Sequence, residues 1–190
     1  MRSTWSLALI GLALACGTVD PELEPPSDRT TYPTEGIGLK EGNVLAPHTF
    51  KAADGSEFSL DDAIFKDETN RVMVLVTAAN WCAACKEEAK FLADLHAKYA
   101  SKGLVIVSAI FENRADEPAT LADVEWWRKT YKTPYHVVLD ADPFQLGAYY
   151  EKAASPMNMV VDVDTMRITK IIQGSDPALV KALVEAKVGR

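Results

Sequence analysis

Cysteine is scarce in this chain: Cys16, Cys82 and Cys85 are the only three among 190 residues, and histidine is equally rare at His48, His96 and His136. A structural zinc site takes about four ligands. One close cysteine pair with three scattered histidines does not supply them, so no metal and no other cofactor is expected. Basic charge is also in deficit, with 20 Lys and Arg against 27 Asp and Glu and a formal charge of −7. Such a chain lacks the electrostatic footprint of a nucleic-acid binder and is repelled by anionic lipid. Long hydrophobic runs are missing too. Trp5 to Ala15 is apolar apart from Ser6 but too short to span a bilayer as a helix. There is no internal repeat and no second domain boundary.

What is present centres on Arg71 to Ala100. Val72-Met73-Val74-Leu75-Val76 is an unbroken, mostly β-branched run, the pattern of a strand buried on both faces. From Cys85 to Ala100, apolar residues at Ala89, Leu92, Leu95 or His96, and Tyr99 recur at helical spacing. Trp81-Cys82-Ala83-Ala84-Cys85 therefore falls where a buried strand feeds the first turn of a helix. There the two sulfurs lie within reach of a small disulfide ring. Unpaired N–H groups and the positive end of the helix dipole favour a thiolate. Cys82 is accordingly the expected attacking thiol, meeting solvent, and Cys85 the covered, resolving one. A permanent structural disulfide is the bland alternative, but a two-residue spacer closes so little chain that its entropic contribution is among the smallest available.

The N-terminal residues have the pattern of an export signal: Arg2 provides the positive start and Trp5 to Ala15 the apolar stretch. Ala13-Leu14-Ala15-Cys16 resembles a bacterial lipobox, with Ala13 where leucine is usual. Lipidation at Cys16 would leave one even cysteine pair in the mature chain and would hold the protein stably on a membrane. Pro21, Pro25, Pro26 and Pro33, mixed with acids, predict a solvated tether. The expected division is a lipoprotein signal over 1–15, a lipidated cysteine and flexible tether over 16–36, and one folded domain over 37–190.

Within that domain, Asp54-Gly55 between short alternating runs predicts a β-hairpin from His48 to Ser59. Ser59 to Phe65 predicts a short capped helix. Leu104 to Ile110 is a second buried strand ended upstream by Gly103, and Phe111 to Pro118 is expected to be a polar turn with Glu112 on a solvated rim. Thr120 opens a helix on which at least one of Trp126 and Trp127 belongs to the core. Tyr135 to Leu139 is a strand and Phe144 to Tyr150 a short helix. Met157 to Val163 and Met166 to Ile172 form a hairpin, and Pro177 starts a final helix behind an Asp176 cap.

Val72 to Glu88 resembles the active-site segment of thioredoxin-fold proteins, an apolar strand followed by W-C-x-x-C and a helix. Gly42 to about Val188 is similar to the TlpA/ResA-type membrane-tethered thioredoxins, which share a broader pattern with the AhpC/TSA-like family. Ser155-Pro156-Met157-Asn158-Met159-Val160-Val161-Asp162 resembles the family's cis-proline segment. The resemblance implies an α/β fold, a thioredoxin-like mixed sheet flanked by helices, with an N-terminal β-hairpin extension. It also implies that Pro156 faces the cysteine pair, that Trp81 packs beside it, and that the Ser155 backbone pairs with an extended segment of a client.

The implied activity is thiol–disulfide exchange in the bacterial cell envelope, lipid-anchored and facing the periplasm. Its partners would be client proteins with disulfides or thiols and an upstream redox partner, with reduction the favoured direction. The chain departs from the family at Val76, where thioredoxin carries a buried aspartate, and Glu88 and Glu112 are the candidate proton acceptors in its place. It departs again at Ala83-Ala84, where a proline commonly precedes the second cysteine. A peroxiredoxin would want threonine at Ala79, and a Sco-like copper protein would want C-x-x-x-C with a histidine. A redox-inactive envelope binding module on the same scaffold is the alternative of a different class.

Overall fold

The structure, a computed structural model, describes residues 29–189. The export signal, Cys16 and the first part of the tether lie outside the described residues.

The expected hairpin forms, with β1 (Thr49–Ala52) and β2 (Glu57–Ser59) paired antiparallel and Phe50 opposite Phe58. Gly55 takes φ +84° in the connecting turn, a conformation that needs no Cβ, and Asp54 Oδ1 accepts the Ser56 N–H at 3.0 Å. Ser59 Oγ accepts the N–H groups of Asp61 and Asp62, starting the single helical turn Asp61–Phe65.

The centre of the sheet is β3 (Val72–Ala79), buried at every position. It runs parallel to β4 (Leu104–Arg114) and antiparallel to β7 (Met157–Asp162). Outside these lie β6 (His136–Leu139), parallel to β4, and β8 (Arg167–Gln173), antiparallel to β7. The strand order is β2-β1-β6-β4-β3-β7-β8, with the short β5 (Glu117–Pro118) folded back on β4.

Alternation along β3 divides the core in two. Val72, Val74, Val76 and Ala78 join the cluster formed with α1 (Ala83–Tyr99), α2 (Leu121–Tyr131) and α3 (Pro177–Val188). Met73 and Leu75 join the opposite cluster, which holds Phe65, Leu146, Tyr149 and Tyr32. The helices do flank both faces, but unequally. The three α-helices share one face, while the turn Asp61–Phe65, the 3₁₀ turn Gln145–Tyr149 and the N-terminal segment cover the other. No helix among the described residues is long and apolar enough to cross a membrane.

Several local expectations change. The stretch expected to be a polar turn after Ile110 instead continues β4 to Arg114, because Glu112 and Arg114 find partners at Pro118 and Glu117. The segment expected to be tether is already packed on the domain at its C-terminal end. Arg29 donates to the Asn70 carbonyl at 2.8 Å, and Tyr32 is buried edge-on against Phe65 while its hydroxyl donates to the Leu45 carbonyl at 2.8 Å. Of the tryptophan pair, Trp127 is core and Trp126 is exposed.

Candidate active site

At the end of β3 the chain turns through the Cys82 N–H, which donates to the Ala79 carbonyl at 3.0 Å. Cys82 is thereby extended and becomes the N-cap of α1, and its sulfur accepts the Cys85 N–H at 3.1 Å. The two cysteines form a disulfide across a Cα–Cα distance of 5.3 Å. The expectation that Cys82 meets solvent is corrected: it is 4% exposed, against 3% for Cys85. The reason lies in the cap, since a sulfur that serves as N-cap acceptor is folded over the start of its own helix instead of standing out from it.

Antiparallel pairing of β3 with β7 sets Met157 opposite Thr77, which brings residues 155 and 156 to the same end of the sheet as the disulfide. Thr77 Oγ1 accepts the Met157 N–H at 2.9 Å, and the Gly174 N–H donates to the Pro156 carbonyl at 2.7 Å, so the loop is held from both sides. The Ser155–Pro156 bond is cis. Ser155 Oγ lies 3.5 Å from Cys85 Sγ. Cys82, Cys85, Ser155 and the Pro156 loop thus share one location.

Trp81, 36% exposed, donates its indole N–H to Glu112 Oε2 at 2.7 Å. That bond, with Lys152 at 3.8 Å from the same carboxylate, draws Glu112 inward from the solvated rim expected for it. Beside it, Phe111 and Phe144 stack with ring centres 4.5 Å apart, and Tyr150 packs against both.

Val76 is buried at the position opposite Asn158, so an acid is absent from that place on β3. A different carboxylate fills the region. Glu88, 2% exposed, lies one turn along α1 from Cys85 on the same helical face. Asn158 Nδ2 donates to both of its oxygens at 3.1 Å, and the Ser175 hydroxyl donates to Oε1 at 2.8 Å. Burial pushes the Glu88 carboxyl above the usual carboxylate range, opposed by the hydrogen bonds from Ser175 and Asn158.

Sequence reasoning had not assigned Asn158 or Ser175 to the site. The signal for Asn158 was a lone amide inside an apolar strand; Ser175, in a chain break, carried none. His48 instead faces Gln145, and among the described residues no cluster of three or more His, Cys, Asp or Glu could hold a metal ion.

Residues 40–186 match the Redoxin family, and the chain belongs to that family. It is 24% identical to the thioredoxin-like protein YneN of Bacillus subtilis over 132 residues, covering 70% of this chain and 71% of that one. Its fold is similar to that of a thiol:disulfide interchange protein of the thioredoxin family from Chlorobium tepidum, with a TM-score of 0.60, 19% identity, and 80% and 100% of the two chains covered. It is also similar to a secreted Mycobacterium tuberculosis disulfide oxidoreductase described as homologous to Escherichia coli DsbE, with a TM-score of 0.55, 16% identity, and 74% and 96% covered. The chain is a thioredoxin-fold redox protein.

Proposed function

We propose that the chain is an envelope-anchored thiol–disulfide exchange protein that reduces disulfides in client proteins through Cys82 and Cys85. The observation that carries this reading is the bridge at the first turn of α1 with Ser155 and the cis Pro156 loop beside it. In the reduced protein, the Cys82 thiolate attacks a client disulfide. One client sulfur leaves as a thiolate and a mixed disulfide with Cys82 forms. Cys85 gives up its proton, attacks Cys82 Sγ, and expels the second client thiolate as the Cys82–Cys85 bond closes. Two electrons pass from the protein's dithiol to the client.

Glu88 is the proton acceptor for Cys85. It is buried on the same face of α1, and a carboxyl shifted upward is better matched to a proton-transfer task near neutral pH than an ordinary one. Glu112 is engaged by the Trp81 indole N–H and by Lys152. Trp81 packs beside the pair, and the Ser155 backbone is the pairing edge for the client.

Two substitutions test the mechanism. Cys82→Ser abolishes exchange with a disulfide substrate, whereas Cys85→Ser accumulates client bound to Cys82, visible as a non-reducing gel shift. Full activity in both variants would overturn the assignment. Direction follows from a titration against glutathione: a potential near that of thioredoxin, about −270 mV, supports reduction, and one near that of DsbA, about −120 mV, supports oxidation. Envelope anchoring rests on Cys16 directly after the apolar run. Cys16→Ser should release the protein from the membrane fraction.

The low exposure of both cysteines favours a second reading, a redox-inactive binding module whose bridge is purely structural. On that reading the bridge survives a strong dithiol reductant while the protein stays folded.

A further inference from the structure

We infer that the hydroxyl of Ser175 is the outlet through which the proton taken up by Glu88 leaves the protein. This rests on the exchange reading above and extends it to the step that follows resolution.

The need arises from burial. Glu88 is 2% exposed, and the two cysteines above it are 4% and 3% exposed. A client bound to Cys82 covers that mouth further, so a proton handed to Glu88 during resolution has no direct path back through it. The carboxylate has two other neighbours by hydrogen bond. Asn158 offers amide N–H groups, which donate but do not ionise, and so cannot carry a proton away. Ser175 offers a hydroxyl, both donor and acceptor, at 2.8 Å from Oε1, and the residue itself is exposed to solvent. Tyr135 is the remaining titratable group close enough for Glu88 to raise its pKa. It is buried, donates to the Ala89 carbonyl, and is held protonated well above the ordinary tyrosine range.

The position of the serine is fixed by its neighbours. The Gly174 N–H is bonded to the Pro156 carbonyl at 2.7 Å, and Gln173 is tied on both ends of its amide to Tyr149 and Glu151. Asp176 caps α3 immediately afterwards by accepting the Leu179 N–H.

The transfer balances without any further reactant. The Cys85 proton moves to the Glu88 carboxylate as the thiolate attacks Cys82 Sγ. The Glu88 O–H then donates to Ser175 Oγ while the serine's own proton passes to water, and Glu88 returns to the carboxylate. Ser175 acts through Glu88 and touches no reacting sulfur.

The test preloads Cys82 of the full protein as a mixed disulfide with a cysteine-containing peptide and follows peptide release by stopped flow. Ser175→Ala should slow release by at least about tenfold, with a larger solvent deuterium effect, and added imidazole should restore much of the rate. Ser175→Thr, which keeps the hydroxyl, should stay within about twofold of the unmodified protein. Wild-type rates for Ser175→Ala, equal slowing by Ala and Thr, or no rescue by imidazole would each overturn the outlet. If the unmodified protein forms no mixed disulfide or never resolves it, the exchange reading fails instead.

Discussion

Asp140 directly follows β6 and carries a carboxylate that is 2% exposed and accepts the N–H groups of Gln145 and Leu146 at 2.8 and 3.0 Å. Those bonds start the turn that leads to Tyr149 and Tyr150, and so to the rim around Ser155. Burial outweighs them and pushes the acid from 3.8 up to about 6. A carboxyl whose folded pKa is raised keeps its proton in the native state where the unfolded chain has lost it. Its contribution to stability is therefore full below about pH 4 and lost as pH rises through about 6. The shift corresponds to roughly 3 kcal/mol. Urea unfolding between pH 4 and 7 should show this loss, and Asp140→Asn should remove that part of the slope; an unchanged slope would refute the assignment. In the sequence Asp140 reads as the first residue of a turn, which is where it sits. Its burial depends on Leu146 and the neighbouring strands closing over it, which no local pattern announces.

At the scale of elements, the strands and helices follow local patterns closely where a pattern exists. The β-branched run of β3, the Asp54-Gly55 turn and the Asp176-Pro177 helix start are local, and each forms. Gly103 shows why one terminator is strict. It takes φ +99°, and a Cβ there would lie 2.5 Å from Arg71 Cγ and 2.8 Å from the Thr69 carbonyl oxygen. Gly103→Ala should destabilise the fold by about 1–3 kcal/mol, lowering the thermal midpoint by several degrees in a calorimetric scan without altering the disulfide. Pairing in the sheet was less readable. The extension of β4 to Arg114 needs β5 as its partner, and polar residues such as Glu112 and Asn113 give no strand signal of their own.

For the molecule as a whole, the decisive feature is a sheet buried on two faces by unlike materials. Three helices cover one, while the other depends on short turns and on a segment whose composition reads as solvated linker. Tyr32 is the key residue of that segment, buried against Phe65 and bonded to the Leu45 carbonyl. Removing its ring should cost about 3 kcal/mol, so Tyr32→Ala should shift the urea midpoint clearly, whereas Glu35→Ala, on an exposed residue, should not. Equal midpoints for Tyr32→Ala and the parent would show that the segment is not part of the folded unit.

The sequence by itself determined the pair of sulfurs at the mouth of α1, since three residues of spacing and one helical turn are local geometry. It also marked the cis Pro156 segment by resemblance, and offered Glu88, one turn along the helix from Cys85, beside Glu112 as a candidate proton acceptor; that Glu88 is buried came from the structure. Only the tertiary structure decided what surrounds that carboxylate. Asn158 and Ser175 reach it from 70 and 87 residues away, brought there by the antiparallel pairing of β7 with β3 and by the loop that follows β8. The same chain closure decided that Cys82 lies covered, because burial is set by everything that packs around a residue, and hydrogen bonds between distant side chains are chosen by the fold.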